Sequence, residues 1–265
     1  MPELPEVESV ARKIETHIIH KTISEAKVFW PRSIEEPNPT IFTNDVRGQT
    51  ILKVGRRAKY ICITLTHGQL FIHLRMSGDL LYFDSEQPIA KHDRVILVFT
   101  DGSRIVFNDP RKFGRIWLTD QAEHVTGKIG PEPLEDSFTL EIFTSIINSS
   151  DRNIKAFLLD QHKIAGLGNI YTDEALFLSG ILPSRKTSSL QPKEVQKLYN
   201  SIREVLSEGI KNNGASFDWV YRGGNFQNHF NVYKRIGEAC KLCGNPIIKT
   251  TIHQRGTHYC DHCQK

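Results

Sequence analysis

KYICITLTHGQLFIHLRM (59–76) decides the reading of the fold. Its halves, KYICITL and QLFIHLRM, are rich in β-branched and aromatic residues, and His67-Gly68 between them is a turn signal. The stretch therefore reads as two antiparallel strands. Downstream, RVILVFT (94–100), SRIVFN (103–108) and GRIWLT (114–119) repeat the pattern, with Asp101-Gly102 as a further turn. From about Thr22 to Asp120 the expectation is an antiparallel sandwich or barrel. Upstream, LPEVESVARKIETHIIH (4–20) sets Leu4, Val7, Val10, Ala11, Ile14, Ile18 and Ile19 at helical spacing, and Pro5 stands near the start, where a helix tolerates proline. Cys62, alone in an apolar run, reads as a small buried hydrophobe.

Beyond residue 120 the texture changes. GPEPLEDS (130–137), with two prolines, a glycine and three acids, reads as a linker. LEIFTSIINSS, IKAFLLDQHK, TDEALFLSGI and KEVQKLYNSIREVLSEGIKNN then predict about four helices, with Asp173 as a start signal and Asn212-Asn213-Gly214 as a stop. The 265 residues suit two modest domains, and 39% hydrophobic with 24% charged residues is ordinary for a globular chain. No apolar run of about 18 residues predicts a transmembrane helix, and no leader pattern opens the chain, so a cytoplasmic protein is the default expectation. The net charge of +4 fits a polyanionic partner only weakly. Its distribution says more: from Gly223 onward six basic residues face two acidic ones, so this tail is about as positive as the whole chain.

Four of the five cysteines lie in that tail. Cys240-Lys-Leu-Cys243 and Cys260-Asp-His-Cys263 are two C-x₂-C knuckles with 16 residues between them. Each knuckle puts two thiolates on one tight turn, and two knuckles complete a tetrahedron for Zn2+. An all-cysteine set leaves no open position for water, so the zinc is expected to be structural and to supply much of the folding free energy of so small a segment. Two disulfides or free thiols are the alternative, disfavoured in a reducing compartment. His253, His258 and His262 are not needed as ligands. IIKTTIHQRGTHY (247–259) alternates as a β-hairpin, with Gln254-Arg255-Gly256-Thr257 placed near its tip.

The chain opens MPELPEVE. Removal of the initiator methionine ahead of proline exposes Pro2 as a secondary amine. An α-amino group titrates near 8, against about 10.4 for lysine, so an appreciable fraction is unprotonated near neutrality. Such an amine can attack a sugar C1′ and form an iminium, with Glu3 beside it to move protons. Read by themselves, these residues favour a plain helix start with a proline and acids.

Taken with the cysteine tail, PELPEVE resembles the opening of the formamidopyrimidine-DNA glycosylase (Fpg/MutM) family of the Fpg/Nei superfamily, and the likeness runs through nearly the whole chain. GRRAKY (55–60) is similar to the segment bearing the family's catalytic lysine, HLRMSG (73–78) and NDPRKFG (108–114) to its DNA-probing loops, and IGPEPL (129–134) to its hinge. LLDQHKIAGLGNIYTDEALF (158–177) is similar to its helix-two-turn-helix motif and QRGTHYCDHCQ (254–264) to its zinc finger. The resemblance implies an α+β fold: an N-terminal β-sandwich with a flanking helix (1–128), a hinge (129–136), a helical helix-two-turn-helix domain (137–222) and a four-cysteine zinc-finger β-hairpin (223–265), with DNA across the cleft between the domains.

It implies Pro2 as nucleophile and Glu3 as general acid/base, with Lys59 and Arg255 also serving the chemistry. Arg56, Arg57 and Lys59 open a β-segment and are read as a basic cluster offered to phosphates. Lys59, Asn169 and Arg255 would grip the phosphates around an extruded nucleotide, with His73 and Arg75 as further phosphate candidates. Met76, Arg111 and Phe113 would enter the duplex. Extrusion leaves a hole in the stack that apolar wedges fill, and the planar fork of Arg111 suits the widowed base. Read without the family, Met76 and Phe113 are equally well core residues of strands.

The chain departs from the family pattern in three places. Ala58 stands where many members have glycine, Gln254 stands at a position often glycine, and ASFDWVYRGGNFQ (215–227) is shorter than the loop that in many members closes over 8-oxoguanine. The cap is thus read as reduced to about Tyr221–Asn225. The implied activity is a bifunctional glycosylase/AP lyase of base excision repair, monomeric, bacterial and nucleoid-associated. It would act on double-stranded DNA carrying formamidopyrimidines, with 8-oxoguanine left open. An endonuclease VIII-like enzyme for oxidised pyrimidines and a non-catalytic zinc nucleic-acid-binding protein are the rivals.

Overall fold

A computed structural model describes residues 1–216 and 223–265. Part of the segment read as a shortened cap, Tyr221–Asn225, lies outside the described residues. The chain forms two compact units: Met1–Lys128 with the described residues of Ala215–Gly224, and Ile129–Gly214 with Asn225–Lys265.

The first unit holds helices α1 (Leu4–Ile18), α2 (Pro39–Val46) and α3 (Ala122–Thr126). Its strands are β1 (Ile23–Val28), β2 (Ile34–Glu36), β3 (Ile51–Arg57), β4 (Tyr60–Leu65), β5 (Gln69–His73), β6 (Asp79–Phe83), β7 (Asp93–Phe99), β8 (Arg104–Asn108) and β9 (Arg115–Thr119). One sheet runs β1-β7-β8-β6 and the other β2-β9-β5-β4-β3. All pairings are antiparallel except β2 with β9. Leu70, Ile72 and Ile116 of one sheet share a dry seam with Leu80, Val95, Leu97, Ile105 and Phe107 of the other, so the two layers form the expected sandwich.

The alternation in β4 shows why. Ile61, Ile63 and Leu65 are buried, while Tyr60, Cys62 and Thr64 are half-buried on the opposite face of the pleat. Cys62 is therefore not the fully buried hydrophobe read from its surroundings, because its isoleucine neighbours occupy the inward positions. The amphipathic face of α1 (Val7, Val10, Ala11, Ile14, Ile18) joins the same core. Helix α2, in a region read as strands only, has a local cause: the Asn38 carboxamide accepts from the amides of Thr40 and Ile41 at 3.1 and 3.0 Å, Pro39 opens the helix, and Phe42 and Val46 are buried.

The second unit holds α4 (Leu140–Asn148), α5 (Ile154–Leu158), α6 (Asn169–Ser179), α7 (Pro192–Lys211) and the hairpin β10 (Ile248–Ile252) with β11 (Arg255–Tyr259). Helix α6 is buried on nearly all sides and is the pillar of this unit. It starts at Asn169 behind Gly168, four residues before the expected signal. Asp173 lies inside it because its carboxylate is taken by buried partners rather than by a helix end. Helix α7 opens with a reciprocal Gln191–Glu194 capping box and ends at Asn212. Residues 130–137 are bonded into this unit. Gly130 donates to Gln161 O at 2.8 Å, Ala165 donates to Pro131 O at 3.0 Å, and Arg203 donates to Pro133 O at 2.5 Å.

Candidate active site and metal centre

The amino terminus is built by the start of α1. Glu3 is the N-cap residue, and its carboxylate accepts from the backbone of Glu6. Glu6 returns the bond, accepting Glu3 N at 2.8 Å, and its other oxygen accepts Ala215 N at 2.7 Å. Both carboxylates are almost wholly buried, as is Pro2. Burial lowers the pKa of the Met1 α-amine, and the positive charges of Lys59 and Arg111 lower it further, against Glu3 and Glu6, which raise it. The expected nucleophile position, Glu3, Lys59 and Arg111 thus share one electrostatic neighbourhood within the first unit. An amine exposed by loss of Met1 would inherit these neighbours.

Lys59 lies in the turn between β3 and β4, 5% exposed, next to Ala58 at φ 51°. That left-handed backbone accounts for a glycine being suited there. The neighbouring basic cluster needs correction. Arg56 is not offered to phosphates: its side chain is 7% exposed, its Nε donates to Glu8 at 2.9 Å and its Nη1 to Ala58 O at 3.0 Å. Burial alone would raise the Glu8 carboxyl, but Arg12 and Arg56 hold it below the usual range. Arg56 therefore braces the turn that presents Lys59.

The two probing segments are loops rather than strands. Met76 and Phe113 are 38% and 47% exposed, which removes the core reading of both. Arg111 lies 4.9 Å over the Phe113 ring, a cation–π contact that pre-orders the pair. Arg75 is exposed at φ 53°. Beneath it His73 is buried, and its Nδ1 accepts the Arg75 amide at 3.0 Å. Burial, with Arg75 and Lys59 adding to it, pushes the His73 pKa down to about 3. His73 is thus a neutral support for the loop.

In the second unit, Asn169 is bonded to the residue that follows Arg255. Asn169 Nδ2 donates to Gly256 O at 2.9 Å, and Lys155 Nζ donates to the same oxygen at 3.0 Å. Arg255 is exposed as the first residue of β11. The hairpin turn is His253–Gln254, both at positive φ, rather than 254–257, because the ladder closes at Ile252 with Arg255.

The sulfurs of Cys240, Cys243, Cys260 and Cys263 all lie within 4.8 Å of one another, with Cys240–Cys263 at 3.8 Å and Cys243–Cys260 at 3.5 Å. Thiolates about 2.3 Å from a central zinc stand about 3.8 Å apart at the corners of a tetrahedron, so donor set and spacing fit Zn2+. None of the four is in a disulfide. Cys240 and Cys260 pack with Phe177 of α6, Val232 and Ile247, which seats the finger on its helix. Nothing in the sequence marks Ser77, Asp109 or Lys155 as site residues, and His258 is read there only as a histidine the metal does not need. Ser77 and Asp109 sit inside the quoted loop motifs, but nothing local marks them as partners.

The family models that match the chain are the formamidopyrimidine-DNA glycosylase N-terminal domain (residues 1–116), the formamidopyrimidine-DNA glycosylase H2TH domain (129–219) and the zinc finger found in FPG and IleRS (237–265). The formamidopyrimidine-DNA glycosylase of Enterococcus faecalis is 42% identical, with 100% of this chain and 98% of that protein aligned. That of Chloroflexus aggregans is 44% identical over the same shares. The crystal structure of wild-type Lactococcus lactis Fpg (MutM) in complex with DNA containing N7-benzyl-Fapy-dG superposes with a TM-score of 0.94 at 36% identity, covering 100% of both chains. A MutM bound to DNA containing carbocyclic 8-oxo-G superposes at 0.93, also at 36% identity, covering 100% of both chains. On these likenesses, carried through every part of the site just described, the chain belongs to the formamidopyrimidine-DNA glycosylase family.

Proposed function

We propose that this glycosylase works in bacterial base excision repair, on chromosomal DNA at the nucleoid, through Pro2 as its covalent nucleophile. After loss of Met1, the Pro2 nitrogen lone pair forms a bond to C1′ of the damaged nucleotide. The glycosidic bond breaks, and the base leaves with its electron pair and a proton. Glu3 moves protons as the sugar ring opens to the iminium. Loss of the C2′ proton then expels the 3′ phosphate, and a second elimination expels the 5′ phosphate. Water hydrolyses the iminium, releasing the unsaturated aldehyde, freeing Pro2 and leaving a one-nucleotide gap. Lys59 holds the phosphate beside the lesion. Asn169 and Arg255 hold phosphates from the second unit, with Arg75 a further contact. His73, being neutral, serves by shaping the Arg75 loop. Zinc on the four cysteines keeps the Arg255 hairpin folded.

Residues 1–128 carry the chemistry, the helices within 137–222 the phosphate site, and 223–265 the finger. Formamidopyrimidines are the substrate class, as in the DNA complexes of the relatives. The observation that carries this reading is the desolvated amino terminus gathered with Glu3, Lys59 and Arg111. Borohydride trapping on abasic-site duplex tests it: wild type forms a covalent adduct and Pro2→Gly, still folded, does not. An absent wild-type adduct would leave a non-catalytic binder.

A further inference from the structure

The loops bearing Met76 (74–78, between β5 and β6) and Arg111–Phe113 (109–114, between β8 and β9) are far apart in sequence yet share one anchor. Asp109 is fully buried. Its Oδ1 accepts from the Ser77 hydroxyl and from Arg111 N at 3.2 Å, and its Oδ2 accepts Gly114 N at 2.7 Å. Ser77 Oγ in turn accepts Arg111 N at 3.1 Å. The Asp109 carbonyl takes Arg94 Nε at 2.8 Å, and its amide donates to His92 O at 2.9 Å, so the anchor is itself fixed to β7. Both loops also close on one ring. A Cβ on Gly114 would stand 2.2 Å from Phe107 Cζ, and one on Gly78 would stand 2.9 Å from Phe107 Cε2 and 2.6 Å from Leu74 O. Each loop carries a non-glycine residue in the left-handed region, Arg75 at φ 53° and Lys112 at φ 61°, a conformation that persists only where the surroundings impose it.

We propose that Asp109 and Ser77 are positioning residues that tie the two loops together, so that Met76, Arg111 and Phe113 enter damaged duplex DNA as one rigid unit. The proposal rests on the glycosylase reading above. A buried carboxylate satisfied by donors from two loops has one geometry that satisfies all of them, so neither loop shifts without leaving a buried acceptor or donor unpaired. Void filling and contact with the widowed base then occur together. Asp109→Asn keeps the shape but leaves one oxygen for donors that use two.

Two DNAs separate this role from a general structural one. With Asp109→Asn, kcat/KM for formamidopyrimidine excision from duplex is expected to fall about 10–100-fold, the scale of a roughly 1 Å misplacement. Borohydride adduct formation on a single-stranded abasic oligonucleotide, which has no stack to fill and no partner base, is expected to stay within about twofold. Ser77→Ala, which removes the two bonds that Ser77 makes to the other loop, gives the same split with a smaller loss and carries the test should Asp109→Asn fail to fold. 2-Aminopurine opposite the lesion should brighten more slowly with either variant. Equal losses on both DNAs, or undiminished duplex excision in both variants, overturn the proposal. A wild type that forms no adduct on either DNA overturns the glycosylase reading instead, and the 2-aminopurine signal on binding then decides the loop tie by itself.

Discussion

Lys155 Nζ and Asp173 Oδ1 stand 2.5 Å apart with both side chains wholly shielded from solvent. The other Asp173 oxygen accepts His258 N at 2.9 Å and lies 3.2 Å from its ring Nδ1, while Lys155 reaches Gly256 O. One helix residue thus fixes the strand that begins with Arg255. Its neighbour Glu174, also buried, accepts from the amides of Asn231, Val232 and Tyr233 at 2.8–2.9 Å and clamps the approach to the finger. Burial raises the Glu174 pKa, and those donors pull the other way.

Breaking the pair from one side leaves a buried charge without compensation. Lys155→Met or Asp173→Asn is expected to cost about 3–5 kcal/mol in chemical denaturation, whereas the double variant Lys155→Met/Asp173→Asn should cost less than the sum of these singles. Additive losses would show that the two residues act separately.

Removing the metal should undo the finger. Cys243→Ser, or chelation of the wild type, is expected to abolish stoichiometric zinc by elemental analysis and to weaken DNA binding. Arg255→Ala, with zinc retained, should lower the slope of log K against log salt by about one. Unchanged affinity in the zinc-free protein would remove the finger from the DNA contact.

Acid should cost stability through His73. Its folded pKa, about 3, lies below the unfolded value near 6.5, so between these values the unfolded chain binds the extra proton. The stabilisation is complete above about pH 6.5 and is lost as pH falls toward 3, at up to about 1.4 kcal/mol per unit. Denaturant midpoints at pH 7.5, 5.5 and 4.5 should fall more steeply for wild type than for His73→Asn, which keeps an acceptor for the Arg75 amide but does not titrate. Parallel slopes would contradict this.

Gly114→Ala should distort the Arg111–Phe113 loop, since the added methyl would overlap the Phe107 ring at 2.2 Å. Overpacking of this kind costs about 1–3 kcal/mol. Thermal unfolding should show it, with duplex excision reduced more than single-strand trapping. A wild-type Tm would mean that the loop relaxes freely.

The sequence by itself determined the elements whose causes are local. Ile61, Ile63 and Leu65 alternate into a strand face, Val7, Val10 and Ile14 make one side of a helix, Asn212 to Gly214 end another, and two C-x₂-C turns place four thiols. Each depends on residues a few positions apart, and periodicity or spacing registers it. Family motifs extended the reading to Pro2, Lys59 and the probing loops. Only the tertiary structure decided what buried polar groups do. Asp173 reads as a helix start yet pairs with His258, 85 residues away, and Lys155 bonds a carbonyl 101 residues away. Arg56 reads as a phosphate ligand yet braces Glu8, 48 residues away, and Asp109 and Ser77 meet across 32. Such partners are selected by the cost of leaving a charge or donor unpaired in the interior, a cost that exists only once the chain has closed around it.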